Sequence, residues 1–282
     1  MKKIVSKTLM ACAVTAALGM ASSSVLAQST YPTFTINEGA VSGAIARELT
    51  AGKIIGGYTE VGSFTPTSEA GGTFTASLKW EADGFYASNG TTSVPSQLGA
   101  TTDNQYRLYA LYTAQGTYST SSSGNTFSYT PGGSFQLFLD QDSNTSFVEA
   151  ATGADQWGTL GSGDDVLLAT GVPTAGEGNV TVNATTCPAG GGQGINCGSF
   201  GTTSSFVLEE AGLDYFIAPS PFYQLSFQSG QLNNFPPSGR QVINGSLDVV
   251  FGASNEVPEP ATIAMVGLGL LGLGLARRRK QA

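Results

Sequence analysis

The stretch Asp140-Gln141-Asp142-Ser143-Asn144 sets oxygen-bearing side chains at alternate positions. That spacing suits a hard cation such as calcium, which gathers about 6–8 oxygen ligands. Asp140, Asp142 and Asn144 are the candidate ligands, with Glu149 as a further oxygen donor. The stretch opens like an EF-hand loop and then departs from it. Thr145 stands where that loop needs glycine, and Ala151 where it needs glutamate, so an EF-hand is excluded. Two readings stay open: a calcium site of another kind, and an Asx-rich turn closing a hairpin. The pair Asp164-Asp165 in "GSGDDV" reads as a second acidic turn.

Nucleophilic chemistry is more restricted. The chain has no histidine, which removes Ser-His-Asp and Cys-His catalysis and zinc sites built on imidazole. Cys187 and Cys197 lie in "TTCPAGGGQGINCGS", a glycine-rich loop. A disulfide closing this loop is expected in an oxidising compartment. The alternative is a reactive thiol, but no His or Lys stands nearby in sequence to lower its pKa. Glycoside hydrolysis needs two carboxylates across a cleft. The acidic residues offer many pairs and their spacing selects none, so no catalytic residue is assigned and a non-enzymatic protein is expected.

The elements that would hold these residues read as β-strands. In "GTFTASLKWEA", Phe74, Ala76, Leu78 and Trp80 fall on one face, with Thr75, Ser77 and Lys79 on the other. "SFQLFLD" groups Phe135, Leu137 and Leu139, and "GSLDVVFG" groups Leu247, Val249 and Phe251. A period of two is the pattern of a half-buried strand. "YRLYALYTAQGTY" would bury Tyr106, Leu108, Ala110 and Tyr112 and turn Arg107 and Tyr109 outward. Clusters of Gly, Ser, Thr and Asn punctuate these runs. The expected fold class is all-β, an antiparallel β-sandwich of which a jelly roll is one form. Most aromatic rings are assigned to its core, and an outward stripe of them would be able to stack on sugar rings.

The two ends differ from this body. Lys2, Lys3 and Lys7, the largely apolar stretch Thr8 to Ala21, and the small-residue site Val25-Leu26-Ala27 form a secretory signal over residues 1–27, with cleavage before Gln28. Residues 28–256 form the β-rich domain. It carries nineteen of the twenty acidic residues but only five of the twelve basic ones, Arg47, Lys53, Lys79, Arg107 and Arg240. Such a surface repels nucleic acid and anionic membranes. Residues 257–282 hold Pro258-Glu259-Pro260, then sixteen uncharged residues from Ala261 to Ala276, then Arg277, Arg278, Arg279 and Lys280. As a helix, that apolar run reaches about 24 Å, against a bilayer core of about 30 Å. It is a marginal single hydrophobic helix, and the basic cluster behind it stays cytoplasmic. A transient stop-transfer tag is the expected behaviour; a permanent anchor is the alternative.

The order and spacing of the Pro-Glu-Pro triplet, apolar helix and terminal basic cluster resemble the PEP-CTERM sorting signal of exported bacterial proteins. The resemblance implies a secretion translocon, transient membrane insertion, and processing near the triplet by an exosortase-type membrane transpeptidase. The hydrophobic tail would then be lost, as with a lipid-anchor signal. Further segments, "YPTFTINEGAVSG", "AGKIIGGYTEVGSF", "YRLYALYTAQGTYS" and "GGSFQLFLDQDSNTSF", look like the flocculation-associated PEP-CTERM protein family. That likeness implies a structural role at the outer surface or in the extracellular matrix, with extracellular polysaccharide as partner. It transfers no catalytic residue. Two other functions remain as alternatives: a secreted glycan hydrolase, and a calcium-dependent carbohydrate-binding module.

Overall fold

Alternating sequence becomes strand almost throughout. A computed structural model describes residues 30–99, 106–181, 197–233 and 235–253. The expected signal peptide, the apolar C-terminal helix and Cys187 lie outside the described residues. Short strands β1 (Phe34–Asn37) and β2 (Glu48–Ala51) come first, followed by long β3 (Lys53–Ser68) and β4 (Gly71–Tyr86). After the two-residue β5 (Ser93–Val94) come β6 (Arg107–Ser121) and β7 (Gly124–Asp140). Then β8 (Ser146–Val148), β9 (Gly158–Leu160) and β10 (Val166–Gly171) lead to β11 (Pro173–Thr181) and β12 (Gly198–Ser205). Finally β13 (Val207–Leu208), the six-residue helix α1 (Glu210–Tyr215) and β14 (Phe216–Ala218) precede β15 (Leu225–Leu232) and β16 (Gly239–Gly252).

Eight of these strands close into an antiparallel barrel, in the order β3-β4-β6-β7-β11-β12-β15-β16, with β16 returning to β3. The all-β expectation holds, but the sandwich is corrected to a barrel. Each barrel strand pairs with the next in chain order, which is an up-and-down closure and not a jelly roll. The physical reason is that one apolar face per strand satisfies either arrangement. The choice rests on the pairing of β7 with β11, Gly124 opposite Thr181 through Tyr129 opposite Gly176, and no local pattern encodes that pairing.

A bulge makes the closure possible. Strand β7 pairs with β11 along residues 124–129 and with β10 along residues 135–139. Between them lie Gly132 and Gly133, with φ of +124° and +104°. A Cβ on Gly133 would sit 2.0 Å from the Thr113 carbonyl oxygen. Only glycine lets the strand turn from one partner to the other there.

The lumen is filled by its own side chains. One end is plugged by Phe64, Phe74, Tyr118, Phe127 and Phe235, and the other by Phe34, Phe206, Phe216, Phe222 and Phe251. Ring centroids within each plug lie 4.8–6.4 Å apart, many of them edge to face. Between the plugs, a narrow barrel holds large rings by setting them against glycine. Phe200 stands opposite Gly230 in the β12–β15 register, where a Cβ would come 2.4 Å from the ring.

A second, smaller core lies outside the barrel wall. Residues 141–165, including the β8–β9 hairpin, fold over the outer faces of β3, β4, β6 and β7. They bury Val61, Tyr109, Leu111, Ala150 and Trp157 against Phe138 and Phe147. The indole of Trp157 donates to the Ser77 carbonyl at 3.0 Å. Arg240 ties the flap down by donating to the Ala151 and Ala150 carbonyls at 3.0 and 3.1 Å and pairing with Glu149. Elsewhere, outward positions such as Thr117, Ser119, Thr126, Ser128, Ser229 and Gln231 are polar and exposed. This barrel is apolar inside and polar outside, the reverse of a lipid-facing barrel.

Candidate functional site

Asp140 ends β7 beside the start of β6, and its carboxylate organises the loop that follows. Oδ1 accepts from the Asn144 amide at 3.1 Å and Oδ2 from the Thr145 amide at 3.2 Å. This bracing accommodates Ser143, which has φ of +54° without being glycine. The Arg107 guanidinium lies 3.5 Å from Asp140 Oδ2 and also donates to the Ser143 carbonyl. The Asp140 carboxylate thus organises an oxygen-rich bend. It leads into the flap, however, and does not close a hairpin, because β8 pairs with β9.

The expected calcium ligands are only partly brought together. Asp140 is buried at 1 % exposure, whereas Asp142 and Asn144 are exposed. Glu149 is taken by Arg240. The carboxylates that converge on Asp140 are Asp164 and Asp165, with ligand oxygens all within 4.8 Å of one another. Asn144 joins them through its side-chain amide, 3.5 Å from Asp164 Oδ1. Asp165 Oδ2 accepts from the Tyr109 hydroxyl at 2.5 Å and from the Thr145 hydroxyl at 2.8 Å, while its Oδ1 is buried without a hydrogen-bond partner. Burial first, and then the hydrogen bond and charge of Asp165, push the Tyr109 phenol far above its usual range. Asp140, Asp164 and Asp165 are the residues able to hold a hard cation here, with Arg107 already balancing one of the three charges. Nothing in the spacing linked Asp164-Asp165 to Asp140; the β7–β10 pairing does so by setting Val166 opposite Leu139.

Two enclosed glutamates escaped the sequence reading. Glu38 is 0 % exposed beneath the β1–β2 connection. It receives Arg47 at 2.5 Å, the Gln97 amide and side chain at 2.7 and 2.9 Å, and the Tyr106 hydroxyl at 3.0 Å. Burial works to raise its pKa, but these donors outweigh it and hold the carboxyl below the usual range. Glu60 lies inside the barrel, 5 % exposed. Among the described residues, no hydrogen bond or ion pair reaches its carboxylate. Burial pushes its carboxyl up to about 7. The signal was available: in "KIIGGYTEVGSF", Glu60 is in phase with Ile54, Tyr58 and Phe64.

Around the mid-barrel, β12 and β15 add inward hydroxyls and one carboxamide. Thr202 and Ser204 donate to Gln228 Oε1 at 3.0 and 3.4 Å, and Gln228 Nε2 donates to Ser226 Oγ at 2.7 Å. An adjoining cavity of about 30 Å³ is bordered by Tyr112, Thr202, Gln228 and apolar neighbours. It has room for about one water molecule.

Cys197 is disulfide-bonded and 2 % exposed at the head of β12. Its expected partner Cys187 is outside the described residues, as are Pro258, Glu259, Pro260, Arg277, Arg278, Arg279 and Lys280. No curated protein and no solved structure matches the chain. The comparison with family models does find the tail. Residues 256–280 match the PEP-CTERM protein-sorting motif, so the chain carries the signal for exosortase-dependent export to the cell surface or beyond.

Proposed function

We propose that this protein is a non-enzymatic component of the extracellular matrix or cell surface. An exosortase-type transpeptidase cuts it near Pro258-Glu259-Pro260, and it acts in exopolysaccharide-associated floc or biofilm formation. The observation that carries the reading is the sorting motif at residues 256–280. The body attached to it supports the same reading. It is a closed barrel whose lumen is packed with aromatic rings and whose outer face bears Ser, Thr, Asn and Gln, groups that hydrate readily and hydrogen-bond to sugars. The test is deletion in the producing bacterium. Flocs weaken while polysaccharide synthesis continues at its normal level. Flocs of normal strength in the deletion strain overturn the proposal.

A further inference from the structure

Thr202 and Gln228 stand directly opposite each other on β12 and β15. Both side chains point into the barrel and are 5 % and 6 % exposed. Thr202 Oγ1 lies 3.0 Å from Gln228 Oε1, while the other end of the carboxamide is held by Ser226 at 2.7 Å. The nucleophilic oxygen of one residue is thus fixed beside the carbonyl group of the other, in a space closed to bulk water. One further group able to carry a proton, Tyr112, borders this space. The Tyr112 hydroxyl is buried without a hydrogen bond of good geometry. Burial raises its pKa, the nearby Thr202 and Ser204 hydroxyls pull it down, and the Glu60 charge raises it again.

We propose that Thr202 and Gln228 become joined by an intramolecular ester across β12 and β15, formed by the folded barrel itself. Thr202 Oγ1 bonds to Gln228 Cδ, and the Cδ–Nε2 bond breaks. The Thr202 proton ends on the departing nitrogen, with the Tyr112 hydroxyl, which borders the same cavity, placed to relay it and ending as it began. Hydroxyl plus carboxamide gives ester plus ammonia, and no oxidant or co-reactant is needed. Holding the two groups in register replaces a bimolecular encounter with an intramolecular one. Ammonia passes to solvent and is diluted there, which draws the exchange forward, and the burial of both residues keeps bulk water from the ester. The link ties together the barrel's two eight-residue strands, β12 and β15. It is independent of the sorting reading.

Glutamyl endopeptidase digestion of the purified, denatured and disulfide-reduced protein tests it. Cleavage at Glu177, Glu209, Glu210 and Glu256 separates residues 178–209, which hold Thr202, from residues 211–256, which hold Gln228. The two segments are expected to remain one species, lighter than their sum by one ammonia, and to part under mild alkaline hydroxylamine. Intact mass alone does not decide, because an N-terminal Gln28 loses the same mass when it cyclises. Thr202→Val keeps the side-chain shape and releases the segments. Recovery of both segments only as separate peptides of sequence mass overturns the proposal, as does a joined species that persists in Thr202→Val. The wild-type digest is decisive even if the variant fails to fold.

Discussion

Glu38 and Glu60 are both enclosed by this fold, yet they couple stability to pH with opposite signs. Glu38 has a lowered pKa, so its contribution is present above the ordinary carboxylate value of 4.5 and is lost as pH falls through its folded value. Glu60 is raised from 4.5 to about 7, so its contribution is complete below 4.5 and is lost as pH rises through 7. The windows separate the two groups. Between pH 4.5 and 7 the Glu60 contribution dominates, and its loss removes about 3 kcal/mol, since each tenfold difference in proton affinity between folded and unfolded chain is worth about 1.4 kcal/mol. Urea denaturation should therefore show lower stability at pH 8 than at pH 5, and Glu60→Gln should remove most of that difference. Identical pH dependence in the two proteins would mean that Glu60 is not held in a dry lumen. At this scale sequence informs unevenly. The Asp140 motif was visible as an oxygen-rich turn. Its role as a brace for the Asn144 and Thr145 amides depends on Arg107 from a neighbouring strand. The roles of the glutamates depend on what encloses them: Glu38 lies among donors from three segments, and Glu60 faces none.

Strands were legible because their cause is local. The faces read from "GTFTASLKWEA", "SFQLFLD" and "GSLDVVFG" are the faces that turn inward, with Phe74, Leu78, Trp80, Phe135, Leu137, Leu247 and Phe251 all buried. Alternation also placed Tyr109 on the outer side of β6, correctly, but could not tell that the outer side is covered there. Tyr109 is 2 % exposed because Phe147, from the flap, packs against its ring at 5.1 Å. The flap's core of five buried residues is separate from the main core, so the two should open independently. Trp157→Ala removes the largest side chain of the flap and its hydrogen bond to Ser77, a change of the kind that costs about 3–5 kcal/mol. Limited proteolysis of this variant should cut within residues 146–160 while the barrel strands stay protected from hydrogen exchange. Loss of protection in β15 and β16 together with the flap would show a single cooperative unit instead.

Closure belongs to the whole molecule and is where the sequence was silent. It depends on β7 meeting β11 after an excursion through β8, β9 and β10, and on a bulge at Gly132-Gly133 that frees half of β7 for that meeting. The closed ring has a bearing on export. Strand β16 ends with Gly252 opposite Leu225, at the same end of the barrel where Tyr31 hydrogen-bonds to Ser88 beyond β4. Both ends of the described chain therefore leave the barrel on one side. The six residues from Gly252 to Pro258 reach at most about 21 Å when extended. On the proposed sorting route, a barrel folded outside the membrane would stay within that reach of a tail still held in it, with the Pro-Glu-Pro triplet between them. On that route, folding of the passenger and processing of its tail would be separable steps. Mass spectrometry of the protein recovered from matrix and from membranes should show this. The matrix form should begin at Gln28 and end near Pro258-Glu259-Pro260. Replacing all three triplet residues by alanine should leave the disulfide-bonded barrel intact but accumulate it in membranes with the tail attached. A full-length tail in the wild-type matrix fraction would refute the cut. Full-length wild-type protein confined to membranes would instead make Ala261–Ala276 a lasting anchor and the protein a cell-surface component.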